Sequence, residues 1–259
     1  MNRHSKTLIA TMILVVTLLA VGCKKETNNG LEAGSNPPVN NAKHLSKVTW
    51  IFDEGIYSSL DTFTVVNKLT WSGNLLTNLD YYEEGELGYT VTFTYNNNGR
   101  LTEFVRYENR TTETFKCVYS GDRLSHIDVT GGNAEKYDFF YDNEGNLTKV
   151  LNDDGYFTFN LKWEEGNVVD EELESEGSHV YQYDNKKNPY DDIFALWSIL
   201  EEWEMHYLSA NNLVRKQWNS LYGNVSIRSY TYTYDGDYPL TCTYSDTGGS
   251  GTIYYEYVK

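Results

Sequence analysis

The chain has 259 residues and a formal net charge of −16, and its 23 tyrosines, 10 phenylalanines and 6 tryptophans make it 15% aromatic. An acidic surface repels phosphate backbones, and no basic run follows the N-terminus, so we expect no nucleic-acid partner. Aromatic residues favour strands, and regularly spaced Gly, Asn and Asp favour turns. The composition therefore predicts an all-β fold.

Residues 1–22 have the pattern of a lipoprotein signal peptide. A charged start is followed by an apolar run over residues 8–21, which is too short for a comfortable membrane span. Small residues then precede Cys23 in an order that resembles a bacterial lipobox, although Ala20 stands where leucine is usual. We predict that Cys23 is diacylated and holds the protein at a membrane through its acyl chains. The alternative is an ordinary secreted protein in which this cysteine is incidental.

Residues 23–44 are predicted to be the lipidated cysteine and a flexible tether. The segment "KKETNNGLEAGSNPPVNNAK" is polar and has almost nothing to bury, so it is expected to be disordered. Residue 24 is Lys and not Asp, which in lipoprotein sorting as generally understood favours the outer membrane. We therefore expect one domain, residues 45–259, tethered at the outer membrane and facing the periplasm or the cell surface.

One turn pattern recurs along this domain, and "YDNEGNLTKV" at residues 141–150 is its clearest copy. An aromatic residue, a polar turn and an apolar residue return every 20–24 residues, which is the length of a two-stranded hairpin. Glycine supplies the positive φ that such a turn needs. Between turns, apolar and polar residues alternate, so each strand buries one face. The glycines predicted to make the turns are Gly73, Gly99, Gly121, Gly145 and Gly166.

Residues 184–213 interrupt this rhythm. Asn188 and Pro189 replace the usual Gly-Asn, so Pro189 marks a different turn, and an apolar stripe then predicts an amphipathic helix near 191–207. The hairpins resume and bring the total to roughly 14–16 strands. So long an antiparallel up-and-down meander is expected to curl or to close into a barrel, because closure removes its exposed edges. Thr, Lys, Asn and Glu on the second face argue against a membrane-spanning barrel.

The combination of "YDNKKNPY", a helix, "LSANN", "YTYTYD" and a final "YYEYVK" resembles one bacterial family. Its members are lipoproteins of gut-dwelling bacteria that carry a domain of unknown function described as porin-like in fold. More distantly, "YDNEGNLTKV" resembles the tyrosine-aspartate hairpin repeats of large bacterial surface and toxin-shell proteins. The resemblance covers about residues 45–259 and implies a porin-like barrel with a helical insertion, but no activity.

No motif for a metal, a cofactor or a nucleophile is present, so we predict no cofactor, no metal site and no enzyme. Cys117 and Cys242 both lie in alternating strand patterns, which favours two buried free thiols and leaves a disulfide open. A hydrolase that uses a pair of carboxylates is a further alternative, but 37 acidic residues offer too many pairs to single one out.

The aromatic surplus is the feature that points to a function. Tyrosine and tryptophan stack on sugar faces and line apolar pockets, and a barrel mouth is a natural site for them. The predicted lining is Trp197, Trp203, Tyr81, Tyr82 and Tyr89. This predicts a binding module for a glycan or an apolar ligand. The alternatives are that these aromatics only fill the barrel, and that the protein is a structural or assembly lipoprotein presenting a surface to an envelope protein partner.

Overall fold

The computed structural model describes residues 43–53, 62–131, 135–152, 158–174, 176–190, 205–246 and 249–258. Within these ranges the chain forms one closed barrel of sixteen antiparallel strands. The prediction of an all-β up-and-down meander of 14–16 strands is confirmed. The strands are β1 His44–Asp53, β2 Thr62–Ser72, β3 Leu75–Glu83, β4 Glu86–Tyr95, β5 Leu101–Glu108, β6 Thr111–Ser120, β7 Arg123–Thr130, β8 Lys136–Tyr141, β9 Leu147–Asn152, β10 Thr158–Glu164, β11 Asn167–Leu173, β12 Gly177–Lys187, β13 Asn211–Ser220, β14 Val225–Asp235, β15 Tyr238–Asp246 and β16 Gly249–Val258.

The barrel closes between its first and last strands. Each strand pairs with the next one in sequence, and β1 also pairs with β16, with Val48 opposite Tyr255 and Trp50 opposite Ile253. In the described chain no strand is therefore left with an unpaired edge, which removes the usual route to edge-to-edge aggregation.

Two rims follow from this up-and-down order. The repeat rim carries the turns after β2, β4, β6, β8 and β10, together with the start of β1 and the end of β16. The far rim lies at the other end of the strands and carries the turns after β3, β5 and β13. Because β1 begins at the repeat rim, residue 43 lies there.

Alternation along the strands separates a buried inner face from a polar outer face. In β2, the side chains of Val65, Asn67 and Leu69 are buried, whereas those of Lys68 and Thr70 are exposed. Phenylalanine, leucine and tyrosine dominate the inner face and form one continuous hydrophobic core. The apolar face that the alternation predicts for each strand lines the lumen, and the polar face forms a threonine-rich outer wall.

The recurring aromatic residue connects neighbouring hairpins at the repeat rim. Each copy lies at a β-bulge, where the register shifts beside the turn, and the ring points into the barrel. In most copies the polar atom donates to a backbone carbonyl on the preceding strand, as Trp71 Nε1 does to Leu45 O at 2.8 Å, but the hydroxyls of Tyr119 and Tyr141 make no such bond. The same contact recurs from Tyr95 to Leu76, Trp163 to Leu147, Tyr183 to Val168, Tyr232 to Leu213 and Tyr257 to Pro239.

The helix predicted near 191–207 is not borne out by the described residues. Residues 191–204 lie outside them, and the following residues Met205–Leu208 form a 3-10 helix. Met205 and Tyr207 of this short helix are buried. No helix in the described ranges has the length and the apolar character needed to cross a membrane.

Candidate functional site

The structure brings two of the predicted mouth residues together and separates a third from them. Tyr81 and Tyr89 face each other across β3 and β4, and their rings stack with centroids 4.5 Å apart and planes at 2°. Tyr82 follows Tyr81 in the strand and lies on the outer face, where the Lys68 Nζ is 4.1 Å from its ring centroid. Trp197 and Trp203 lie outside the described residues.

The glycines predicted to make turns all lie at the repeat rim. Gly73, Gly99, Gly121, Gly145 and Gly166 have φ between 59° and 98°. Pro189 lies after β12, where the chain leaves the rim and enters the barrel. The hydrogen bonds of Trp71, Tyr95, Trp163 and Tyr183 are made at this same rim and hold neighbouring strands together.

A cavity of about 350 Å³ lies inside the barrel. One side is the inner wall of β1, β2 and β13–β16, and the other is the connection between β12 and β13, through Tyr190, His206 and Tyr207. A second cavity of about 490 Å³ lies at the far rim. The two adjoin, because the same five wall residues line both: Phe52, Val65, Tyr81, Arg228 and Tyr244.

The wall that lines these two adjoining cavities contains an arc of aromatic rings, which we name the lumen arc. It consists of Tyr81 on β3, Phe63 on β2, Phe52 on β1, Tyr244 on β15 and Tyr230 on β14. Ring centroids are 6.1 Å apart for Phe52 and Phe63, 6.3 Å for Phe52 and Tyr244, and 6.1 Å for Tyr230 and Tyr244. These separations are within the range of favourable ring contacts, so the arc is continuous from Phe63 to Tyr230, and Tyr81 extends it beyond Val65.

Two glycines let tyrosine rings of the arc pack closely against the sheet. A Cβ on Gly251 would lie 2.4 Å from the Tyr244 hydroxyl oxygen and 2.6 Å from the Ile51 carbonyl oxygen. A Cβ on Gly88 would lie 2.9 Å from a ring carbon of Tyr81. A larger residue at either position would collide with these groups, so the packing of the arc depends on both glycines.

An ion pair borders the β14 end of the lumen arc. Arg228 Nε donates to Asp246 Oδ2 at 2.7 Å, and the guanidinium lies 5.0 Å from the ring centroid of Tyr244. Burial raises the pKa of Tyr244 to about 12, Asp246 adds to the rise, and Arg228 opposes it. The Tyr244 phenol is therefore neutral at physiological pH and keeps its proton as a hydrogen-bond donor.

A second arginine borders the β3 end in the same manner. The Arg106 guanidinium lies 4.6 Å from the ring centroid of Tyr89, which stacks on Tyr81. Arg106 is paired with Glu108, and its other terminal nitrogen is 3.8 Å from Glu113. At each end of the aromatic surface, an arginine guanidinium thus lies over a tyrosine ring. Neighbouring carboxylates compensate the charge of each guanidinium.

The connection between β12 and β13 is fixed by backbone and amide hydrogen bonds. Asn188 Nδ2 donates to the carbonyls of Tyr207, at 3.0 Å, and Ser209, at 2.8 Å. The Ala210 amide donates to the Gly166 carbonyl at 3.0 Å, and the Val168 amide donates to Ser209 Oγ at 3.0 Å. These buried bonds attach the connection to β11 and hold its aromatic rings against the cavity.

The described residues show little of the chemistry of an enzyme. No group of three or more His, Cys, Asp or Glu within them is placed to hold a metal ion. Cys117 and Cys242 are both free thiols, and burial raises the pKa of each to about 12, which suppresses the reactive thiolate. Glu171 is fully buried, accepts a hydrogen bond from Tyr181, and lines neither of the two cavities.

Sequence reasoning missed the residues at the centre of the site. Phe52, Phe63, Tyr230 and Tyr244 look like ordinary core residues of alternating strands, and no local pattern sets them apart. Arg228 did carry a signal, because in "RSYTYTYD" it lies on the same face of the strand as the buried tyrosines that follow it. A charged residue on the apolar face of a strand is costly unless it has a partner, and it therefore points to a site.

Two solved structures of porin-like proteins are similar to this chain. A porin-like protein from Bacteroides uniformis ATCC 8492 is 15% identical with a TM-score of 0.55, and the match covers 83% of this chain and 98% of that one. A porin-like protein from Bacteroides vulgatus ATCC 8482 is 14% identical with a TM-score of 0.38, covering 84% of this chain and 99% of that one. Comparison with models of protein families and with curated proteins gave no match. The first likeness shows that the chain has a porin-like barrel fold.

Proposed function

We propose that the protein is a non-catalytic binding module of the bacterial cell envelope, which takes a glycan or an apolar ligand into its barrel. The observation that carries the proposal is the lumen arc in front of a cavity of about 350 Å³. Ligand sites are concave and mainly apolar with a few placed polar groups, and the arc with its bordering arginines has that composition.

The envelope location rests on the resemblance to porin-like lipoproteins and on the predicted acylation of Cys23. A tether at residues 23–44 would enter the barrel at the repeat rim, because β1 begins there. The lumen arc lies nearer the far rim, so the site would be directed away from the anchoring point. The outer wall carries residues such as Lys68, Thr90 and Thr92, which supports a barrel held beside the outer membrane and not embedded in it.

A binding assay with residues 24–259 tests the proposal. We expect at least one saturable ligand from a panel of oligosaccharides and oleate, measured by calorimetry, and recovered chemically unchanged after incubation. Tyr230→Ala removes a ring of the arc and is expected to weaken that binding at least tenfold. The control is Tyr254→Ala, which removes an exposed ring from the outer wall and is expected to leave binding unchanged.

Two results would contradict this function. If no member of the panel binds, or if Tyr254→Ala weakens binding as much as Tyr230→Ala does, the lumen is not the site. If a saccharide is recovered as shorter products, the hydrolase alternative replaces the binding module.

A second candidate function is supported by an exposed hairpin tip at the far rim. Leu221 and Tyr222 in the turn between β13 and β14 are 62% and 93% exposed, and Val225 and Ile227 at the start of β14 are 59% and 41% exposed. Clustered exposed apolar side chains mark protein contacts more often than scattered ones do. This tip supports a function as an assembly lipoprotein, in which the tip contacts an envelope protein partner.

A further inference from the structure

We infer that the lumen arc binds a neutral oligosaccharide, which packs against its aromatic rings and bonds through hydroxyl groups to the Arg228–Asp246 pair. The inference rests on the proposed function and narrows it to one ligand class. Three features carry it: the aromatic lining of the cavities, the compensated charges, and the position of the Arg228–Asp246 pair among the rings.

The first feature is the aromatic lining. Tyr81 and Tyr244 pack closely against neighbouring strands, because Gly88 and Gly251 carry no side chain that would collide with them. Both rings line the two cavities together with Phe52, and the C–H groups of a pyranose pack well on an aromatic surface. The arc crosses from β3 to β14 through β2, β1, β16 and β15, which is five inter-strand steps of ~4.8 Å each. This length suits a chain of several sugars better than one sugar.

The second feature is the charge balance. Arg228 is paired with Asp246, and Arg106 with Glu108, so each cation already faces an anion. An anionic ligand would have to compete with these carboxylates and would meet the field of a chain with a net charge of −16. A neutral polyol meets no such repulsion. It can donate to the Asp246 carboxylate and accept from the Arg228 guanidinium at the same time.

The third feature favours a saccharide over an apolar chain as the ligand. Arg228 lines both cavities among the rings, and its partner Asp246 lines the cavity at the far rim. The Arg228 side chain is 41% exposed and is therefore within reach of a ligand. An acyl chain laid along the arc would remove water from these groups without replacing its hydrogen bonds, which is unfavourable. The hydroxyl groups of a saccharide replace them.

The experiment is a set of calorimetric titrations of residues 24–259 with defined probes. The neutral probes are oligosaccharides of four to six sugars, namely α-glucan, β-glucan, mannan and xylan fragments; the anionic probe is oligogalacturonate, and the apolar probe is oleate. We expect one neutral oligosaccharide to bind, and to bind at least tenfold more tightly than oligogalacturonate. Tyr81→Ala should raise its Kd at least tenfold, whereas Tyr81→Phe, which keeps the ring, should change it less than about threefold.

The matched control is Tyr82→Ala, since Tyr82 is the adjacent residue but lies on the outer face. It is expected to leave the Kd unchanged, and thermal unfolding checks that each variant is folded. If oleate binds and no neutral oligosaccharide does, the saccharide inference fails while the proposed binding function stands. The inference is also overturned if oligogalacturonate binds more tightly than every neutral oligosaccharide, or if Tyr81→Ala and Tyr82→Ala raise the Kd equally. If no probe binds, both the inference and the proposed function fail.

Discussion

Asp142 shows how one side chain sets the geometry of the repeated turn. Its Oδ1 accepts from the amides of Glu144 and Asn146, both at 2.9 Å, and its Oδ2 accepts from Asn146 Nδ2 at 2.9 Å. Gly145, with φ of 98°, then returns the chain to β9. In the sister turn Asn96 has the same role, accepting from the amides of Asn98 and Arg100 at 3.0 Å.

This geometry gives a prediction for two substitutions. Asp142→Ala removes all three acceptor contacts and is expected to lower the free energy of unfolding by about 1 kcal/mol, because water replaces part of what is lost. Asp142→Asn keeps an oxygen acceptor, as Asn96 shows, and is expected to cost less than Asp142→Ala. Urea unfolding at pH 7 measures both. Equal losses in the two variants would contradict the acceptor role.

The same carboxylate predicts a pH dependence of known sign. Partial burial favours a higher pKa for Asp142, but hydrogen bonds from Asn146 and Glu144 outweigh it and hold the pKa below its ordinary value. A lowered folded-state pKa stabilises the fold above the unfolded-state pKa of ~3.9, and this contribution is lost as pH falls through the folded-state pKa. The difference in the free energy of unfolding between the wild-type protein and Asp142→Asn should therefore decrease from pH 7 to pH 3.

At the scale of strands and turns, local sequence determined what could be predicted. Residues 141–150 contain the Asp142 acceptor, its amide donors and the positive-φ glycine of their turn, so strand count, turn position and the buried face follow from the pattern. The pairing of β1 with β16 joins residues about 200 positions apart, and no local pattern specifies it. The Arg228–Asp246 pair likewise needs the register of β14 on β15. Such contacts depend on the closed barrel and lie beyond sequence reasoning.

The far-rim hairpin between β13 and β14 carries a prediction for the assembly function. A photo-crosslinking amino acid at position 222, where the native tyrosine is 93% exposed, should give a discrete adduct in whole cells if a partner covers the tip. The matched position is 87, a 57% exposed leucine on the same rim that stands apart from the tip. Mass spectrometry identifies the adduct. The assembly function would be contradicted if no adduct forms at position 222, or if the same adduct forms at both positions.

At the scale of the whole molecule, closure makes the two ends of the barrel unequal. The repeat rim holds the aromatic hydrogen bonds and the entry of the chain at residue 43, whereas the lumen arc lies toward the far rim. Anchoring through Cys23 would therefore leave the arc accessible. An anchor at the far rim would cover it.

This arrangement gives the last prediction, which concerns the anchor itself. Cys23→Ala removes the predicted acylation site, and the protein is expected to move from the membrane fraction to the supernatant while keeping its β-rich circular dichroism spectrum. The polar outer wall gives the barrel little affinity of its own for lipid, so no second attachment should retain it. The control is Cys117→Ala, which changes a barrel thiol and should stay with the membranes. Retention of Cys23→Ala after a high-salt wash would show that the barrel, and not the acyl chains, holds the protein there.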